Sequence, residues 1–108
     1  MLKIFKIPAI GEPYECEIDN TLEAMQEAVG GHIEVVPITD RHRLIVNEEG
    51  KLGAYLLNVF ASNLFRMCTK NDDLIFGDAF VTYYDGGEDF ADLTEEGIEE
   101  LKNYIWEA

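Results

Sequence analysis

The side chains of this sequence that could do chemistry are mostly carboxylates, and they crowd into its last third. The chain has 22 acidic and 8 basic residues, a formal net charge of −14 and a pI near 4.2. Residues 1–71 contain 10 acids and 7 bases, a net of −3, whereas residues 72–108 contain 12 acids and one base, a net of −11. Carboxylates segregated in this way favour encounter with a basic partner.

A helix predicted from about Thr94 to Trp106, with Asp92 or Thr94 as its cap, separates acidic from apolar side chains. At 100° per residue, Ile98, Leu101 and Ile105 fall on one side. The opposite side of that helix carries four acids, Glu96, Glu99, Glu100 and Glu107. We predict that the acids of the preceding turn and of the first half of the helix bind a partner: Asp85, Glu88, Asp89, Asp92, Glu95, Glu96, Glu99 and Glu100.

A second interpretation of these acids is a solvated face that keeps a small protein in solution. A net charge of magnitude about 2–8 is enough for that purpose in a small domain. The net charge of −14 is larger in magnitude than that range, so a binding surface and a solvated face remain equal alternatives for these acids.

The residues needed for nucleophilic catalysis are scarce. Ser62 is the one serine and lies in an apolar segment, and His32 and His42 stand at a loop edge and in a turn without a nucleophile near them in sequence. A serine or cysteine triad would therefore arise only by coincidence of folding. We expect a protein that is not an enzyme.

The sequence does not predict a metal or a cofactor. The two cysteines, Cys16 and Cys68, and the two histidines lack zinc-finger spacing, and both cysteines are expected as small buried hydrophobic residues. The segment Asp85–Asp89 does not match a calcium loop, because Gly87 and Phe90 occupy its third and sixth positions. No phosphate-binding glycine motif is present.

The same composition argues against several partners and places. Direct binding to nucleic acid or to an anionic membrane needs a basic face, which this chain lacks. The longest apolar stretch, Leu52–Phe65, is too short and too polar to span a bilayer, and the N-terminal residues have no secretory signal. A cytoplasmic protein is expected.

Hydrophobic periodicity predicts a single α+β domain over residues 1–108. The predicted helix at Asp19–Val29 has Asn20 as its cap, and Gly30 ends it. The element order is β-β-α-β-β-α-β-α, with a largely antiparallel sheet. The strands are predicted at residues 2–7, 14–18, 32–38, 43–47 and 74–84.

The second predicted helix, Tyr55–Met67 with a start at about Ala54, is apolar almost all round. Only Asn58, Ser62 and Arg66 form a polar stripe along it. Such a helix is either buried within the monomer or packed against a partner, including a second copy of the chain as a homodimer.

Several stretches resemble the small domain of unknown function numbered 3846, found in phage and bacterial mobile-element proteins. They are Glu17–Val36, Asn47–Lys51, Gly77–Val81, Gly86–Phe90 and Leu93–Glu96. The resemblance implies no catalytic or binding residues. It implies a setting in which small acidic proteins often inhibit host defence nucleases by imitating nucleic acid.

Our leading hypothesis is accordingly an accessory protein that blocks a basic, nucleic-acid-binding host protein. One alternative is a nucleotide-sequestering protein that would draw on the nearby cationic side chains, Arg41, Arg43, Lys51, Arg66 and Lys70. Three aromatic residues near the acids could line a pocket, anchor an interface or cap the core: Tyr84, Phe90 and Trp106. The other alternative is the homodimer through Tyr55–Met67.

Overall fold

Alternating apolar residues form a sheet that is covered by helices on both faces. The computed structural model describes residues 1–106, so the predicted helical acid Glu107 lies outside the described residues. The strands are β1 Leu2–Ile7, β2 Tyr14–Ile18, β3 Ile33–Pro37, β4 His42–Asn47, β5 Ala79–Tyr84 and β6 Phe90–Ala91. The helices are α1 Leu22–Val29, α2 Val59–Thr69 and α3 Glu95–Trp106.

The sheet is antiparallel throughout the described residues and has β5 near its centre. The strand order is β2-β1-β5-β4-β3, and β6 pairs with the end of β5. Ile7 lies opposite Ala79 and His42 lies opposite Tyr83, so the start of β1, the start of β4 and the end of β5 share one end of the sheet. The predicted α+β class and element order are confirmed, with β6 added.

Each face of the sheet has its own hydrophobic core. Leu2 and Ile4 of β1 pack with Met25 and Val29 of α1 on one face. Phe5 and its neighbours on the other face pack against α2 and α3. Because successive residues of a strand point to opposite faces, the strands that lie between helices are apolar on both sides.

The helix predicted from about Ala54 begins later, at Val59. Asn58 is fully buried, and its side-chain oxygen accepts the backbone N–H of Ala61, which sets the start of α2. Its amide nitrogen donates to the carbonyls of Ile7 and Gly77. The preceding residues are drawn to the end of the sheet instead, where Leu57 forms a bridge with Phe76.

Two other predicted boundaries shift for local reasons. Thr21, rather than Asn20, caps α1, since its hydroxyl accepts the N–H of Ala24. The predicted strand 74–84 begins only at Ala79, because Gly77 adopts a φ of 84° that breaks the extended run. His42, predicted in a turn, is the first residue of β4 and is buried.

No helix within residues 1–106 combines the length and the apolar character needed to cross a lipid bilayer.

Candidate functional site

Helix α3 holds its carboxylates outward because its other side is buried. The Thr94 hydroxyl accepts the N–H of Gly97 at 3.0 Å and so caps the helix as predicted. The buried residues of the helix are Gly97, Ile98, Leu101 and Ile105. The predicted acids of the helix, Glu95, Glu96, Glu99 and Glu100, are exposed. The predicted division of this helix is therefore confirmed up to residue 106.

The turn between β5 and β6 supplies the other predicted acids. Asp85 accepts the backbone N–H of Gly87 at 2.8 Å, and Gly86 has a φ of 93°, so the turn is locally fixed. Asp85, Glu88 and Asp89 are exposed, as is Asp92 after β6. We call the eight predicted residues the acidic set.

Lys3 joins two members of the acidic set to the first strand. Its backbone N–H donates to Asp92 at 2.7 Å, and its ammonium lies 2.7 Å from Glu95 and 3.6 Å from Glu15. The hydrogen bond from Lys3 lowers the pKa of Glu95, and the same bond raises the pKa of Lys3. Residues distant in sequence thus meet at the start of α3.

Two acids of β2 extend the carboxylate surface, and the sequence analysis missed them. Glu15 lies opposite Phe5 and Glu17 opposite Lys3, so both point to the sheet face that carries α3. The signal was present, because Glu15 and Glu17 alternate with Cys16 and Ile18 along the strand. Only the pairing of β2 with β1 shows which face they share.

Few cations balance these carboxylates. Lys102 lies 3.8 Å from Glu99, and Lys3 pairs with Glu95. Within residues 1–106, the other six members of the acidic set have no lysine, arginine or histidine nitrogen within 4.0 Å: Asp85, Glu88, Asp89, Asp92, Glu96 and Glu100. Arg41 approaches the turn, but it donates to the backbone carbonyl of Asp85.

The His42 ring packs against α3 at Gly97. Its Nδ1 lies 2.9 Å from the Thr39 hydroxyl, and its ring packs edge-on against Tyr83. Its Nε2 is buried and has no hydrogen-bond partner among the described residues. Burial lowers the pKa of His42, with Glu100 opposing that shift and Arg43 adding to it. The ring therefore serves as a neutral packing group under the helix.

Of the five cationic side chains considered for a nucleotide site, only Lys51 lines the cleft described below. Lys51 pairs with Asp73, and Arg43 stacks 4.4 Å above the Tyr84 ring. A cleft of about 280 Å³ between β3, β4 and α2 contains Lys51 but also Glu34, Glu48 and Asp73. Such a rim repels phosphate.

The three aromatic residues near the acidic set have different surroundings, and of the three only Phe90 packs directly against a core. Phe90 is half-buried against the α1 side, and Tyr84 lies under Arg43. Trp106 packs on Phe60 of α2, with ring centroids 5.8 Å apart. None of them lines the 280 Å³ cleft.

The cysteines are free and only half-buried, which corrects the prediction that they are buried. Burial raises the pKa of Cys68 to about 11, and burial also raises the pKa of Cys16. Both thiols therefore stay protonated at neutral pH. Within residues 1–106, no group of three His, Cys, Asp or Glu side chains is placed to hold a metal ion.

Comparison with known proteins gives one match. A family model described as "Domain of unknown function (DUF3846)" matches residues 2–105, nearly the whole chain. No curated protein and no solved structure matches the chain.

Proposed function

We propose that this chain, which belongs to the DUF3846 family of domains of unknown function, inhibits a host protein by imitating nucleic acid. In this proposal it is a non-enzymatic protein of a phage or mobile element that acts in the cytoplasm of the host cell. The acidic set replaces phosphates in the Lys- and Arg-lined groove of a defence nuclease. The observation that carries the proposal is the row of four exposed carboxylates on α3, of which Glu96 and Glu100 have no cationic partner within residues 1–106.

The spacing of these carboxylates suits a groove built for a polyanion. Residues four apart on a helix are separated by about 6 Å along its axis and lie on the same side. Glu95 and Glu99 form one such pair, and Glu96 and Glu100 form another. A helix that displays like charges in this way is destabilised locally, by about 0.2–0.5 kcal/mol per pair. A basic groove would relieve that repulsion on binding.

The scaffold also favours mimicry over a loose acidic tail. The acids of α3 stand on a helix anchored by three fully or nearly fully buried side chains, Ile98, Leu101 and Ile105. A pre-formed carboxylate array loses less conformational entropy on binding than a disordered one. The array therefore presents charge at fixed positions, as a nucleic-acid backbone does.

The proposal is tested in a competition assay, in which the protein and fluorescently labelled duplex DNA compete for a purified basic DNA nuclease. A panel of defence nucleases is titrated with the protein, and displacement of the DNA is read by anisotropy. We expect displacement from at least one nuclease, and we expect it to weaken steeply with added salt, because ion pairing is screened over about 8 Å at physiological ionic strength. Displacement that is independent of salt would contradict mimicry.

A matched pair of charge reversals locates the contact. Glu96→Lys with Glu100→Lys should abolish displacement, because both carboxylates lie in the acidic set. Glu23→Lys with Glu27→Lys makes the same change in net charge at the same four-residue spacing, on exposed positions of α1 across the sheet. That control should keep most of the activity. Equal loss in both variants would show that net charge alone, and not the acidic set, is responsible.

A further inference from the structure

The outer edge of β2 has backbone groups that are free to bind. The strand pairs with β1 on one side and ends the sheet on the other. Within residues 1–106, the backbone of Tyr14–Ile18 makes no hydrogen bond to any element other than β1. An edge of this kind presents a row of N–H and C=O groups that an extended segment of another protein can pair with.

Two carboxylates stand on one face of this edge. Glu15 and Glu17 are exposed and point to the face of the sheet that carries α3. Lys3 lies 3.6 Å from Glu15 but closer, at 2.7 Å, to Glu95, and Glu17 has no cationic partner among the described residues. A segment beside β2 would meet negative charge at every second residue on this face, because side chains opposite each other on neighbouring strands interact.

The other face of the same edge borders a groove. This open groove of about 390 Å³ lies between β2 and α1. Its walls include the remaining residues of the strand, Tyr14, Cys16 and Ile18, and two short side chains of the helix, Ala24 and Ala28. A side chain that reaches over the edge from outside can therefore enter between strand and helix.

The charges beside the groove have the same sign as those on the first face. Asp19 and Glu27 line the groove together with Lys6, whose ammonium donates to the carbonyl of Ala28. Both faces of the edge therefore carry more acid than base. Complementary charge selects a partner electrostatically, so the occupant that fits this edge is cationic.

We propose that the outer edge of β2 binds an extended segment of a partner protein in which cationic and small apolar residues alternate. Successive side chains of a strand point to opposite faces. The lysines or arginines of the segment would face Glu15 and Glu17, and its apolar residues would enter the groove beside Cys16. Backbone hydrogen bonds give such a segment its affinity, and the alternating surroundings give it specificity. The site lies outside the acidic set and does not depend on the imitation of nucleic acid.

The proposal is tested with a short, fluorescently labelled peptide in which lysine and valine alternate. We expect saturable binding by anisotropy, and we expect hydrogen exchange to slow at the amides of β2. The other outer strand, β3, is the internal control, since Pro37 lacks an N–H and interrupts its row of donors. Absence of binding, or slower exchange at α3 or β3 in place of β2, would overturn the proposal.

Two altered peptides separate strand pairing from charge alone. A peptide of the same composition with all lysines grouped at one end should bind more weakly, because it cannot place them at every second position. An alternating peptide with methylated backbone nitrogens should lose binding, because it lacks N–H donors. Equal binding by either altered peptide would contradict pairing along the edge. Both measurements use the wild-type protein, so they do not depend on the folding of a variant.

A matched pair of charge reversals locates the peptide. Glu15→Lys with Glu17→Lys should weaken binding by about tenfold or more, since it turns two cross-strand attractions into repulsions. Glu34→Lys with Glu48→Lys makes the same change in net charge at exposed positions on the β3 side of the sheet, and should keep most of the affinity. Circular dichroism checks that each variant folds. Equal loss in both variants would refute the site, whereas displacement of DNA from a nuclease is measured without the peptide and fails or succeeds separately.

Discussion

The ammonium of Lys3 lies 2.7 Å from a carboxylate oxygen of Glu95, although 92 positions separate the two residues in sequence. The pair connects the first strand to the first turn of α3. Lys3 is also where the carboxylates of β2 and of α3 come together, because Glu15 lies 3.6 Å from the same ammonium. The N-terminal strand thus helps to build a surface that the sequence assigns to the last third of the chain.

Replacing Lys3 by Met should raise the pKa of Glu95 toward the ordinary value of a glutamate. The hydrogen bond from Lys3 is the largest cause of its lowering, and the attraction of the ammonium adds to it. A lowered carboxyl pKa gives stability that is present above the unfolded-state pKa and lost as the pH falls through the folded pKa. Carboxyl-carbon NMR titration of both proteins measures the shift. Lys51→Met, which breaks only the pair with Asp73, should leave Glu95 unchanged.

Acidification should destabilise the fold through His42. Burial lowers its pKa in the folded state, so below about pH 6.5 the unfolded chain takes up a proton that the folded chain does not. The free energy of unfolding therefore decreases as the pH decreases, by at most about 1.4 kcal/mol per pH unit from this group. Glu100 opposes the shift and Arg43 adds to it.

Urea unfolding at several pH values between 7.5 and 5 measures this effect. His42→Gln should flatten the profile in that range. His32, which is exposed, provides the control, and His32→Gln should keep the wild-type slope. An unchanged slope in the His42 variant would assign the acid sensitivity to another group.

Asn58→Ala should cost about 2–4 kcal/mol of stability. The substitution removes the cap of α2, worth about 1 kcal/mol. It also leaves the buried carbonyls of Ile7 and Gly77 without their donor, at about 1–3 kcal/mol. Asn58→Ser keeps a capping oxygen and should lose less. Asn63→Ala, at a half-exposed position of the same helix, should change the free energy of unfolding little. Chemical denaturation of the variants measures these differences.

Gly97→Ala should destabilise the protein although alanine favours helices. A methyl group at Gly97 would lie 3.0 Å from Nε2 of His42 and 3.1 Å from the Thr94 hydroxyl. His42 cannot easily yield, because Thr39 and Tyr83 hold its ring from other directions. Asn103→Ala, on the exposed side of α3, should instead gain a few tenths of a kcal/mol.

A thermodynamic cycle separates this packing effect from helix propensity. If the clash with His42 is the cause, His42→Ala should reduce the cost of Gly97→Ala. The coupling between the two substitutions is measured by thermal or urea unfolding of the four proteins. A Gly97→Ala protein more stable than the wild type would contradict the packing argument.

Local patterns predicted most of the fold because they depend on neighbouring residues. The alternation in β2, the apolar side of α3 and the glycine exit at Gly30 all follow from short-range rules. The start of α2 does not. Tyr55–Leu57 has helical spacing, but its tertiary contacts with Phe76 and Gly77 outweigh that preference. Those contacts join positions about 20 residues apart, which periodicity cannot show.

The acidic set was predictable in membership and exposure, and less so in its surroundings. Helical periodicity places Glu96, Glu99 and Glu100 outward without knowledge of the rest of the fold. The pairing of Lys3 with Glu95 and the addition of Glu15 depend on β1 lying beside β2 and near the start of α3. Such neighbours are set by sheet topology, which the local sequence does not encode.

The two outer strands of the sheet give the carboxylates a further consequence. β2 and β3 each leave one row of backbone groups unpaired, which can recruit a strand from another molecule. The negative charges of Glu15 and Glu17 repel the same residues of a second copy and so oppose pairing at the edge of β2. Pro37 has no N–H and interrupts the row of donors on β3. Electrostatic repulsion between copies of the chain weakens as the solution approaches the pI of about 4.2, where the net charge vanishes. Acid-induced aggregation should therefore begin by strand addition at β2.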